Sequence, residues 1–257
     1  EAQKRKILFE NKIFNGNILP AVPPIDAFVH VCNQPGFSVY LGVTHDFESR
    51  PFTLDISRCG ILIAGHTPSI RAGLLEAIFK SFSAAVTRSM PILFFSSKQD
   101  AQFHDLPENV QYRDFSWDMG DLEQFVAQDV EKCIIIDSFD YARKLHPSSM
   151  GSYRKPGSPE LPYDILKRCA DITTGSKCHV ILFVENFRRF AMSAKDLFSL
   201  FDLRIGFGMN EDDAGNFANA GGFGKLRGLE NSSKAIYVNS LTNDQYMIRP
   251  FSRQKEL

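Results

Sequence analysis

The stretch with the clearest chemical outline is Gly65-His66-Thr67-Pro68-Ser69-Ile70-Arg71-Ala72, which follows the apolar run Ile61 to Ala64. A helix-patterned segment starts at about Ile70. Strand, Gly turn and helix in that order are the layout of a phosphate-binding loop, G-x-x-x-x-G-K-[ST]. In such a loop backbone N–H groups cradle phosphates, Lys reaches their oxygens and the hydroxyl holds Mg²⁺. Laid on Gly65, the template places Ile70 at the second Gly, Arg71 at the Lys and Ala72 at the Ser/Thr. Ala72 has no oxygen for a metal, and the branched Ile70 obstructs the close backbone approach that Gly allows. Arg71 keeps a positive charge and a phosphate-shaped fork, and a helix start keeps free N–H groups and a favourable dipole. Two readings stay open on these residues. One is weak anion or nucleotide binding; the other is an ordinary strand–helix turn with Arg71 in a surface ion pair.

Elements that would position this stretch follow from the hydrophobic pattern. Leu74, Leu75, Ile78, Phe79 and Phe82 form one apolar helix face. Pro91 to Ser97, Cys133 to Ile136 and Val180 to Val184 are apolar with almost no polar alternation, the mark of parallel strands covered on both faces. The second of these ends on Asp137. Shorter strands are expected at Ala27 to Val31, Phe37 to Val43, Phe52 to Ile56, Gln111 to Trp117 and Leu203 to Met209, with a closing hairpin of Ala235 to Val238 and Gln245 to Arg249. Helices are expected at Gly120 to Val130, Tyr163 to Thr174, Ser193 to Phe201 and Asp212 to Ala220. A Pro/Gly/Ser-rich loop covers 146–162. The alternation points to an α/β fold, a three-layer α/β/α sandwich with a mainly parallel sheet. Residues 1–50 read as a linker and lead-in strands, and 51–257 as the domain proper.

Composition narrows the function classes. The chain has 257 residues, 44% of them hydrophobic, and a formal net charge of -1, so no global field draws it to nucleic acid. Twenty-three Phe against one Trp implies a Phe-rich core, or in part a docking groove. Five Cys at wide spacing match neither a disulfide framework nor a zinc site, and read as buried thiols in a reducing compartment. No metal is expected. No apolar run reaches the ~20 residues that span a bilayer. The chain opens on Glu1, not Met, as a fragment of a longer protein would, and a membrane anchor would then lie outside it. Gly-Phe-Gly at 206–208 and Gly-Gly-Phe-Gly at 221–224 do not open a long helix after an N-terminal strand, which excludes a dinucleotide fingerprint.

Taken in order, the loop-like 61–80 segment, the strand ending in Asp137, the strand at 180–184 and Phe201-Asp-Leu-Arg-Ile-Gly-Phe207 resemble the FtsK/SpoIIIE-type motor ATPases. The tail Ala220-Gly-Gly-Phe-Gly-Lys-Leu-Arg-Gly-Leu229 is similar to that family's Gly-Gly segment before its last strands, and Leu41 to Asp46 to the lead-in before its Walker A strand. Within the family the resemblance is to the degenerate C-terminal module of the type VII secretion coupling ATPases, EssC or EccC. It covers roughly residues 55 to 250.

The resemblance implies a P-loop (RecA/FtsK-like) NTPase fold and a vestigial nucleotide site at Gly65 to Ala72, Asp137 and Glu185, with no catalytic residue. Asp137 stands at the metal-side carboxylate, but Ser138 follows where a hydrolytic enzyme carries Glu. Val184-Glu185-Asn186 stands where the family has a sensor, and Glu185 would repel a phosphate. Arg204 matches the family's Arg-Ile strand, either as a trans-acting finger or in a packing or sheet-edge role. Arg188, Arg189 and Lys195 read as a solvated helix face, and Lys225 and Arg227 as surface charges. By analogy the module would not hydrolyse; no cofactor is expected, though weak or structural ATP binding stays open. Its partners would be adjacent ATPase modules and secreted helical-hairpin proteins, not nucleic acid. A hexamer would form only in the full-length parent, at the cytoplasmic face of the membrane. The other readings are an active translocase and a purely structural ring subunit.

Overall fold

A computed structural model describes residues 22, 38–46, 48–56, 60–84, 90–96, 106–113, 120–137, 139, 162–171, 177–218, 229 and 233–251. Ten strands among them form one sheet: β1 (Ser38–Thr44), β2 (Pro51–Asp55), β3 (Ile61–Ala64), β4 (Ile92–Phe95), β5 (Val110–Arg113), β6 (Lys132–Ile136), β7 (Cys178–Val184), β8 (Leu203–Phe207), β9 (Ala235–Asn239) and β10 (Asp244–Pro250). Their spatial order is β2-β1-β10-β9-β8-β3-β7-β6-β4-β5. The run from β8 to β5 is parallel. β9, β10, β1 and β2 extend it antiparallel.

Central strands are apolar throughout because both faces are covered. Side chains alternate between the two faces with period two. Ile61 and Ile63 of β3 join one core, with Phe94, Ile135, Phe183 and Ile205. Leu62 and Ala64 join the other, with Leu93, Ile136, Leu182 and Val184. The first core is roofed by α1 (Pro68–Ala84) through Ile70, Leu74, Ile78, Phe79 and Phe82, a stripe spaced for one helix face. The second lies under α2 (Gly120–Ala127), α3 (Pro162–Ala170), α4 (Phe187–Ser193), α5 (Lys195–Phe198) and α6 (Glu211–Phe217). This is the expected three-layer sandwich, and the closing hairpin pairs as expected, with Tyr246 opposite Tyr237.

Several boundaries move. The helix expected at Ser193 to Phe201 is shorter, α5 at Lys195–Phe198, and a separate helix, α4, precedes it; the two are divided at Ala194, whose φ of -133° and ψ of 42° are not helical. The segment from Phe187 was missed because its pattern, FRRFAMS, covers barely two turns, too short for a periodicity reading. β1 joins the same sheet as the rest, so the 50/51 boundary falls within the β1–β2 hairpin. The expected strand at 27–31, the loop at 146–161 and the Gly-Gly segment at 220–228 lie outside the described residues.

Among the described residues the Phe side chains lie mostly in the core. Phe52, Phe82, Phe94, Phe183, Phe207 and Phe217 are all buried, and the exposed large apolar residues among those described are Val130, Met192, Leu241 and Tyr246, none of them Phe. Edge-to-face pairs such as Phe79–Phe94 at 5.1 Å and Phe187–Phe217 at 5.1 Å tie helices to sheet and to one another. Cys133, Cys169 and Cys178 are buried free thiols.

Candidate nucleotide site

Parallel α/β sheets hold ligands beyond the carboxyl ends of their strands. Here that edge collects Gly65 after β3, Ser96 after β4, Asp137 after β6 and Glu185 after β7. β3 lies between β8 and β7, and β6 is the next strand out. Gly65 N–H donates to Val184 O at 2.8 Å, continuing the β3–β7 ladder by one residue. Gly65 has φ +154°, and a Cβ there would collide with the carbonyl and ring of Phe207. Its glycine is therefore explained by close β3–β8 approach, without a phosphate.

α1 begins two residues earlier than its apolar pattern predicts, at Pro68 instead of Ile70. Proline is suited to the first helical position because its fixed φ is preset and its missing N–H would be unpaired there. Arg71 N–H already donates to Thr67 O at 3.1 Å, a first helical bond. Residues that would wrap a phosphate are thus wound into the first helical turn. Pro68 offers no N–H and that of Arg71 is engaged, which leaves Ser69 and Ile70 of the free donors expected at this helix start. Ile70 is 2% exposed and sits in the α1-side core, so the second Gly of the template is replaced by a packing residue. His66 and Pro68 are exposed, while Thr67, Ser69 and Ala72 are half-buried.

From this turn Arg71 reaches back across the strand ends. Its Nε lies 2.9 Å from Asp137 Oδ1, an ion-pair contact, and Nη2 donates to Asp137 Oδ2 at 3.2 Å. Nη1 donates to Glu185 Oε1. Ser96 Oγ donates to Asp137 Oδ2 at 3.0 Å. The Arg71 and Asp137 side chains are 9% and 1% exposed, and that of Glu185 is 25% exposed. The ion pair foreseen as the bland alternative is present, but it is buried, not on the surface. It joins residues 66 and 114 positions apart and ties α1 to β6 and β7.

Three formal charges, one positive and two negative, leave this cluster at net -1, the wrong sign for receiving phosphate. At an effective dielectric constant of 20, unit charges 4 Å apart interact by about 4 kcal/mol, so an incoming anion must outbid a strong resident pair. As arranged, the residues do not fit a Mg²⁺–nucleotide complex. Position 72 has no hydroxyl, and both carboxylates already face Arg71. Among the described residues no group of three or more His, Cys, Asp or Glu is placed to hold a metal.

The remaining candidates have structural partners. Asn186 caps α4, its Oδ1 accepting from Arg189 N–H at 2.9 Å. Arg188, Arg189 and Lys195 are exposed. Arg204 lies in β8, between β3 and β9, which corrects the sheet-edge expectation. It is 3% exposed, donates from Nε to Phe201 O at 2.5 Å and from Nη1 to Phe217 O at 3.4 Å, and stacks 4.2 Å over the Phe198 ring. Burial lowers its pKa, with Asp202 opposing. So placed, it packs the interior of its own chain and does not project toward a neighbour. Ser96 was missed by sequence reasoning; the available signal was a hydroxyl at the end of a buried strand adjacent to the one ending in Asp137. Ser138, Lys225 and Arg227 lie outside the described residues.

No family model matches the sequence, and no curated protein is similar to it. Solved structures are. The cytoplasmic domain of the Thermomonospora curvata type VII secretion ATPase EccC aligns over 92% of this chain and 28% of its own, at 14% identity and TM-score 0.61. Its ATPases 2 and 3, in complex with a signal sequence peptide, align over 93% of this chain and 44% of theirs, at 14% identity and TM-score 0.60. The chain has the fold of a type VII secretion ATPase module. The cytoplasmic domain of EssC aligns over 92% of this chain and 48% of its own, at 12% identity and TM-score 0.63. The pCW3 conjugation coupling protein TcpA, with ATPγS, aligns over 91% and 70%, at 12% identity and TM-score 0.61. This module therefore spans between about a quarter and a half of the EccC and EssC structures it resembles. Among the described residues no helix is long and apolar enough to cross a membrane.

Proposed function

We propose that this chain is a non-hydrolysing, ATPase-like module of a type VII secretion motor, acting in substrate recognition or in regulation of protein export. The single observation that carries the proposal is the Arg71 fork held by Asp137 and Glu185. Phosphoryl transfer relies on a cation and a metal aimed at the transferred group. In this chain the cation at the Walker A place is engaged by Asp137, the metal-side carboxylate of the template, and by Glu185 at the sensor place. Fold likeness to EccC and EssC supplies the secretion context, and the complex of EccC ATPases 2 and 3 with a signal sequence peptide supplies a precedent for peptide capture in that protein. By the same analogy its neighbours would be further ATPase modules at the cytoplasmic face of a membrane, its substrates helical-hairpin proteins, and any hexamer a property of the parent.

The test is a phosphate-release assay on the purified chain with Mg-ATP, followed by calorimetric titration with a secreted helical-hairpin protein. The expected results are no turnover and saturable substrate binding. Turnover near the ~10 s⁻¹ typical of enzymes would overturn the proposal in favour of an active translocase. Absence of both turnover and substrate binding would favour a structural ring subunit.

A further inference from the structure

Glu185 is the unusual member of the cluster. Asp137 has a second partner in Ser96, and it ends a strand where the ATPase template itself puts a carboxylate. Glu185 sits at the end of β7, beside the strand that leads into the Gly65 turn, where a phosphate-facing group ought to be neutral or positive. It is also the most exposed of the three, at 25% against 9% and 1%.

We infer that Glu185 is an autoinhibitory residue that holds Arg71 away from polyphosphate and so keeps the site closed to nucleotide. The inference rests on the reading of 65–72 as a vestigial nucleotide site, and it adds a specific cause of the silence. Arg71 is bound on two sides. The Nε–Nη2 edge belongs to Asp137, while Nη1 is withheld by Glu185 alone of the described carboxylates. Removing the charge at 185 while leaving Asp137 would change the cluster from net -1 to neutral and free Nη1 to donate to a phosphate oxygen. Asp137 would still hold the other edge and keep the guanidinium in place, a preorganised donor. The gain is limited to binding. Ala72 still offers no hydroxyl for Mg²⁺, so no hydrolysis follows.

The experiment is calorimetric titration of the wild-type chain, Glu185→Gln, Glu185→Ala and Glu185→Gln/Arg71→Ala with ATP and with inorganic pyrophosphate. Circular dichroism melting accompanies each variant to establish that it is folded. Both single variants are expected to bind pyrophosphate and ATP at least about tenfold more tightly than wild type, and the double variant to lose that gain. Equal affinity in wild type and both single variants would overturn the inference, as would a gain that survives removal of Arg71. Hydrogen exchange on the wild type is an independent readout that needs no variant. Residues 66–75 and 182–188 should exchange alike with and without ATP, and ATP-dependent protection there would refute the closed site. ATP turnover by wild type would sink the proposed function, whereas failure of Glu185→Gln to gain affinity sinks only the inference about Glu185.

Discussion

Arg71 and Asp137 are 66 residues apart in sequence, yet Arg71 Nε lies 2.9 Å from Asp137 Oδ1 and Nη2 donates to Oδ2 at 3.2 Å, both side chains being almost fully buried. Removing one partner of such a pair leaves the other as an uncompensated buried charge. Arg71→Ala should therefore destabilise the chain by about 3–5 kcal/mol. Asp137→Ala should cost less, because Glu185 still holds Arg71 Nη1, and the double variant well under the sum, because the two share one interaction. Urea unfolding of the four-member cycle measures the coupling; additive losses would show that the pair does not act as a unit.

Ile70 provides a second test of what the loop has become. It occupies the place of a phosphate-loop glycine but is 2% exposed within the core under α1. Ile70→Ala should lower stability by about 2–5 kcal/mol, as large-to-small changes in cores do. Ile70→Gly should cost roughly 1 kcal/mol more, since it also places glycine in the first turn of a helix. A loss below about 0.5 kcal/mol, the size of a surface effect, would mean the residue is not packed as described.

His45 gives the chain an acid sensitivity. Its pKa is lowered to about 4 from 6.5, by burial first and then by Lys234 and Arg249, with Asp46 opposing. Between pH 6.5 and about 4 the unfolded chain therefore takes up a proton that the folded chain refuses. Stability should fall as pH falls through that window, and be unaffected by this group above it. His45→Gln removes the difference. Its denaturation midpoint should decline less between pH 6.5 and 4 than that of the wild type, and parallel declines would refute the assignment.

The buried thiols should be unreactive. Hydrogen bonding with Cys169, then burial, raises the pKa of Cys178, and burial raises that of Cys133. Thiolate is the nucleophile, so iodoacetamide at pH 8 should leave both residues unmodified in the native protein and label them in denaturant. Peptide mapping by mass spectrometry reads this directly; rapid native labelling at Cys133 or Cys178 would contradict their burial.

The α/β class and the strands at 61–64, 92–95, 132–136 and 178–184 were legible because a parallel strand covered on both faces must be apolar along its whole length, a local signal. The face of α1 was legible for the same kind of reason, in its 3.6-residue spacing. The departure of residues 70–72 from the phosphate-loop template could also be read directly, since Ala lacks an oxygen and Ile stands at the place of Gly. Arg71 was named from the phosphate-loop template, Asp137 from its place at a strand end, and Glu185 from the family resemblance. What they do to one another was not legible. Whether Arg71 faces solvent, a phosphate or a carboxylate depends on the order β3-β7-β6, which brings three strand ends side by side from distant parts of the chain. It depends too on α1 starting at Pro68, which sets the reach of the guanidinium. Residue type determined which charges were present; only the tertiary structure decided that Arg71 is paired with both carboxylates, because charge pairing is a matter of distance and burial, and neither is a property of the sequence order.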